Sequence, residues 1–95
     1  IQTTEECEAL LHEEIHTLER SLISTQKSGD LPEEARICNN IAKKLELLGE
    51  WKRALEFHHY DRQICRTLDD VDGELLAISN MITIFKEYHP FLSLL

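Results

Sequence analysis

Apolar residues recur along this chain at helical spacing, and the pattern repeats when the sequence is shifted by forty residues. The shift places Asp30 on Asp70, Glu34 on Glu74 and Asn40 on Asn80, with Ile41 on Met81 and Leu45 on Phe85. A unit that recurs at such a period buries its apolar face against its neighbours, so the repeat favours a stack of helical hairpins over a closed four-helix bundle. Continued by the same shift, Trp51 falls on Phe91 and Leu55 on Leu95, so residues 90–95 are expected to open a further helix. Leu11 falls on Trp51 and Ile15 on Leu55, so the first helix shares the second-helix stripe.

Four helices are expected. Thr3 and Thr4 stand before Glu5 and Glu6 as cap and acidic first turn, and Leu11, Ile15, Leu18 and Leu22 follow until Ser28-Gly29-Asp30 breaks the line, predicting a helix over about 4–27. Asp30 as cap and Pro32 in the first turn open a second helix over 32–48, with a stripe of Cys38, Ile41, Ala42, Leu45 and Leu48 that stops at Gly49. The third, over 50–68, carries Ala54, Leu55, Phe57, Ile64 and Leu68 to the acidic turn Asp69-Asp70-Val71-Asp72, which reads as a turn and helix cap. The fourth, over 73–89, carries Leu75, Ile78, Met81, Ile82, Phe85 and Tyr88 and ends at Pro90. No segment alternates with a period of two, so the fold class is all-α, a single unit over 1–95 of about two repeats.

Charge and cysteines narrow the function. Ten Lys and Arg against eighteen Asp and Glu leave −8, the wrong sign for neutralising phosphates, so direct nucleic-acid binding is not expected and a basic protein partner is favoured. The chain has no leader pattern and no run of about 18 apolar residues, which predicts a soluble protein with no membrane contact. Cys7, Cys38 and Cys65 are too far apart for a metal knuckle. Cys38 and Cys65 fall among apolar positions and read as buried small side chains in the reducing environment of nucleus or cytoplasm.

One catalytic pattern occurs, His12-Glu13-Glu14-Ile15-His16, which matches H-E-x-x-H and puts two imidazoles one helical turn apart with Glu13 as water-activating base, as in zinc proteases. Glu14 charges a position that is usually apolar, and no third ligand is identifiable, so no catalytic or metal residue is assigned and no cofactor is expected. His58 and His59 are adjacent, about 100° apart on a helix, and do not form the i, i+4 pair that chelates a metal.

The run Ala35-Arg36-Ile37-Cys38-Asn39-Asn40-Ile41-Ala42-Lys43-Lys44-Leu45, followed by Gly49, Trp51 and Ala54, resembles the tetratricopeptide repeat. Ala54-Leu55-Glu56-Phe57-His58-His59-Tyr60-Asp61, followed by Asp69, Asp70, Gly73, Glu74 and Asn80, is similar to the longer-period subclass found in Tonsoku-like repair scaffolds and in Pins/LGN spindle-orientation adaptors. Gly29-Asp30, Glu33 to Arg36, Asn39-Asn40 and Gly49-Glu50-Trp51 tilt the likeness to the Tonsoku-like side; it covers about residues 28–82. The resemblance implies a right-handed solenoid of antiparallel helix pairs that acts as a protein-binding scaffold. In a Tonsoku-like protein it would be a nuclear scaffold of replication-fork repair, taking a repair partner or a basic histone tail. In the alternative it would be a cortical adaptor for amphipathic helical peptides.

Arg36, Asn40, Lys43 and Leu47 follow i, i+4, i+7, i+11 opposite the Cys38-Ile41-Leu45 stripe, with Asn39 beside them. Any amphipathic helix owns a polar face, but Asn recurring at 40 and 80 is a poor helix former with no packing reason to be there. The resemblance puts Arg36, Asn39, Asn40, Lys43 and Leu47, together with Leu76, Asn80 and Thr83, on a concave partner-binding face. It leaves the C-terminal helix exposed and open to self-association.

Overall fold

A computed structural model describes residues 3–88. It holds four helices, α1 (Thr4–Ser28), α2 (Leu31–Leu47), α3 (Trp51–Thr67) and α4 (Val71–Tyr88), and no strand among the described residues. Each helix packs on the next in sequence, giving an all-α solenoid of about two repeats. None of the helices is long and apolar enough to cross a membrane. The further helix expected at 90–95, like Tyr88's side chain, lies outside what is described.

Side-chain chemistry sets the helix ends. Thr3 closes a capping box: its Oγ1 accepts from the Glu6 N–H at 3.1 Å while Glu6 Oε2 accepts from the Thr3 N–H at 3.3 Å. Asp30 Oδ1 accepts from the Glu33 N–H at 3.2 Å. Asp70 Oδ1 does the same for the Gly73 N–H at 3.0 Å, which is why α4 starts two residues before Gly73, the start the sequence suggested. The turns after α1 and α2 use glycine in the left-handed region, Gly29 and Gly49 both at φ 74°. After α3 the same position is Asp69, at φ 55°.

The main core joins all four helices: Ile15 and Leu22 from α1, Ile37, Cys38, Ile41 and Leu45 from α2, Ala54 from α3 and Ile84 from α4. Each Leu or Ile buried this way contributes on the order of 1.5–3 kcal/mol. A smaller cluster of Ala35, Ile64 and Cys65 lies beside it. The stripes read from α1, α2 and α3 therefore point inward, although Leu68 at the end of α3 is exposed.

The apolar stripe of α4 is mostly left uncovered. Leu75, Ile82 and Phe85 are exposed, at 59%, 48% and 43%, while the wholly buried positions are Ala77 and Ile84. Ile78 and Met81 are half-buried. Among the described helices α4 packs mainly on α3, and of its residues only Ala77 and Ile84 become wholly buried. Periodicity finds the apolar side of a helix; a neighbour decides how much of it is covered.

Polar contacts stitch the helices at their flanks. Lys44 of α2 meets Glu14 of α1 at 2.8 Å and Arg53 of α3 meets Glu19 of α1 at 3.0 Å. The Tyr60 hydroxyl donates to Glu34 Oε1 of α2 at 2.7 Å and accepts from Gln26 Nε2–H of α1 at 3.0 Å. Hydrogen bonding to Glu34 is the main reason that Tyr60's pKa lies above the ordinary phenol value.

Candidate functional site

The i, i+4, i+7 row of α2 and its counterpart in α4 meet across one ordered contact: Lys43 Nζ donates to Asn80 Oδ1 at 3.1 Å. Asn80 Nδ2 is shielded from solvent and has no partner among the described residues. Leu47 and Leu76 are exposed, at 74% and 57%. Arg36 is exposed and turns back to Glu33 in a two-toothed pair, one arm of which spans 2.9 Å from Nε to Oε2. That pairing holds the Glu33 carboxyl below its ordinary pKa and the Arg36 guanidinium above its own. Thr83 spends its hydroxyl on its own helix, donating to the Ser79 carbonyl at 3.0 Å.

Arg36, Asn39 and Leu76 come together at a cavity of about 170 Å³ between α2 and α4. Its other walls are Ala35, Asp61, Cys65, Asp70 and Gly73, so α3 provides part of its lining. Asn39 Oδ1 is shielded and unpartnered among the described residues. Asn40 goes elsewhere. It lines the larger cleft, about 590 Å³, between α1 and α2, with Leu10, Glu13, Glu14, Thr17, Leu18 and Lys44. Asn39 and Asn40 thus face different cavities, because adjacent residues on a helix point about 100° apart.

Sequence reasoning did not single out Asp61, Glu34 or the buried face of His58. His58 is wholly buried, its Nε2 3.0 Å from Glu46 Oε2 and its Nδ1 without a partner among the described residues. Asp61 is 7% exposed, and the Cys65 thiol, 3.5 Å away, is its hydrogen-bond donor. Burial raises the Asp61 pKa, with the thiol and His58 pulling the other way and Asp70 adding to the rise. Burial, then the charge of Asp61, also pushes the Cys38 thiol to about 12 and the Cys65 thiol to about 11, leaving both protonated and poor nucleophiles at neutral pH. The spacing 54, 58, 61, 65 marks these residues: His58 and Asp61 sit on the inward line of α3 between Ala54 and Cys65.

His12 and His16 of the H-E-x-x-H pattern both stand exposed on α1. Among the described residues no three His, Cys, Asp or Glu side chains converge as metal ligands would.

The chain is 31% identical over 64 residues to the Tonsoku-like protein of Danio rerio, a match that takes in 67% of the chain and 4% of that protein. Against the Tonsoku-like protein of Bos taurus it is 33% identical over 67 residues, 70% of the chain and 5% of that protein. The chain therefore spans about a twentieth of the length of these curated relatives. The likeness is partial and is to a repeat protein, in keeping with the helical stack. No protein-family profile matches the chain, and no solved structure does.

Proposed function

We propose that this chain is a protein-binding segment of a tetratricopeptide-type scaffold, without enzymatic activity, and that a partner peptide lies along the groove between α2 and α4. The observation that carries this is the groove floor. An amide donor on Asn80 and an amide acceptor on Asn39 have no partner among the described residues, while exposed Leu76 offers an apolar anchor beside Asn39 and exposed Leu47 another farther along α2. A peptide backbone supplies the matching carbonyl and N–H in any sequence, so such a floor binds extended or helical chains. The acidic balance of −8 favours a basic partner such as a histone tail over an acidic one. The likeness to Tonsoku-like proteins supports a scaffold role in DNA repair, with the nucleus as its compartment. Arg36 and Lys43 hold the polar rim above Asn80; Asn40 belongs to the α1 side and contributes less.

The test is a triple substitution, Arg36→Ala, Lys43→Ala and Asn80→Ala, titrated with a basic histone-tail peptide and then with an amphipathic helical peptide. Affinity for the peptide that the parent binds is expected to fall at least tenfold, about 1.4 kcal/mol, while the melting temperature stays within a few degrees. Unchanged affinity would move the binding face off the α2–α4 groove. Binding of neither peptide by the parent would leave the segment a purely structural part of its array.

A further inference from the structure

Two carboxylates are sunk into the packing around α3, and they are served differently. Glu34, 4% exposed, receives the Tyr60 hydroxyl at 2.7 Å. Asp61, 7% exposed, receives only the Cys65 thiol at 3.5 Å and forms no ion pair among the described residues. A thiol is a weak donor. A buried carboxylate left with so little is unfavourable until a cation or stronger donors reach it.

Asp61 opens on the small cavity at the groove floor, and the other groups there are of the same kind. Asp70 lines it too, with Oδ1 bound to the Gly73 N–H. Gly73 leaves room for this arrangement, since a Cβ at that position would lie 2.5 Å from Asp70 Oδ2 and 2.8 Å from Cys65 Sγ. Asn39 Oδ1 adds an unpartnered acceptor. The one cation in the lining, Arg36, is mostly in solvent and held by Glu33. The cavity therefore offers acceptors and negative charge with almost nothing to answer them.

We propose that this cavity seats the ammonium of a lysine carried by the partner chain, an inference that rests on the α2–α4 groove being the binding face. Two N–H bonds of an ammonium answer Asp61 and Asp70, and the third turns toward the Asn39 side chain, whose shielded Oδ1 needs only a small rotation to meet it. Ala35 and Leu76 supply apolar wall for the methylene stem. A guanidinium is suited less, because its fork wants both oxygens of one carboxylate in a plane, and Asp61 and Asp70 each have one oxygen engaged. A metal ion is suited less again, since among the described residues no three His, Cys, Asp or Glu side chains come together as its ligands. The raised Asp61 pKa agrees: a cation arriving beside it would bring it down.

The probe is n-butylammonium, titrated into the isotope-labelled chain beside n-butylguanidinium and n-butanol and followed by NMR. The amine is expected to give saturable shifts at the Gly73 amide and the Asn39 side chain, and to lower the carboxyl titration midpoint of Asp61 in the parent protein. Asp61→Asn is expected to weaken the amine at least tenfold, and n-butanol should not compete. Shifts that never saturate, equal affinity in the variant, an unmoved Asp61 midpoint or a preference for the guanidinium would each overturn the assignment. The midpoint measurement needs no variant, so it stands even if Asp61→Asn folds poorly. The two readings fail separately. Loss of the amine site leaves the effect of substituting Arg36, Lys43 and Asn80 intact, whereas failure of the groove reading appears as peptide affinity indifferent to those three while the amine still saturates.

Discussion

Helices α2 and α4 hold equivalent slots forty residues apart, yet α4 is the more apolar and the less buried. Ala35, Ala42 and Leu45 of α2 are enclosed by their neighbours; their counterparts Leu75, Ile82 and Phe85 of α4 lie exposed. The difference follows from neighbours rather than from composition. α2 packs between α1 and α3, whereas among the described helices α4 packs on α3. Hydropathy states what a face would gain by being covered; the stack decides whether it is.

The largest contrast is expected when an apolar side chain is shortened in each helix and urea unfolding is followed. Leu45→Ala removes a wholly buried side chain and is expected to cost about 3 kcal/mol. Leu75→Ala, at an exposed position, is expected to cost less than about 0.5 kcal/mol. Similar losses at the two positions would mean that the outer face of α4 is covered in solution, and a concentration-dependent transition would identify a second copy as the cover.

A smaller effect, of opposite sign, is expected on the inner side. Asp61 has its folded-state pKa raised by burial, so the stability linked to its protonation is fully present below the ordinary carboxylate value and is lost as pH rises through the raised one. His58, Cys65 and Asp70 are the titratable groups that act on it. Asp61→Asn is therefore expected to be more stable than the parent at pH 7, by about 1 kcal/mol or roughly 4–8 °C in Tm, with the gain gone by about pH 3. A variant that melts below the parent at pH 7 would mean that the charge is already compensated.

The smallest effect separates the turns before and after α3. Gly49 and Asp69 both sit in the left-handed region, and a Cβ at Gly49 would touch nothing within 4 Å. Gly49→Ala is thus a purely conformational change, expected to cost about 1 kcal/mol, and Asp69→Gly should gain about 0.5 kcal/mol. Thermal melts of the two variants check the pair. Equal and opposite shifts would show that Asp69 gains nothing from its side chain.

These contrasts mark how much the sequence made legible. The helices of the hairpin α2–α3 could be read because Cys38, Ile41 and Leu45 keep one line up to the stop at Gly49, and Ala54 and Ile64 another up to the stop at Asp69. The outer face of α4 departs from its reading because the stripe is real but, among the described residues of that helix, only Ala77 and Ile84 are wholly buried. Of the groove residues, Asn80 was legible through the forty-residue repeat that sets it on Asn40, whereas its contact with Lys43 was not. Asn40 was not separable from Asn39 until α1 was in place beside it. Asp61 and Glu34 stayed hidden for a physical reason: charge reads as surface, and only the partners decide whether an ionisable group can sit inside.

The Tyr60 hydroxyl reaches three successive helices through Gln26, Glu34 and its own backbone on α3. In a solenoid the small rotation from one unit to the next accumulates into the curvature of the whole spiral. A single oxygen joined to three consecutive layers fixes that rotation locally, much as a rivet sets the angle between struts. Because both bonds have ordinary hydrogen-bond lengths, a swivel of either layer keeps them only if the Gln26 or Glu34 side chain rotates to follow. The Tyr60 phenol is thus one local tie among α1, α2 and α3, and its loss would loosen the angle at which these layers meet.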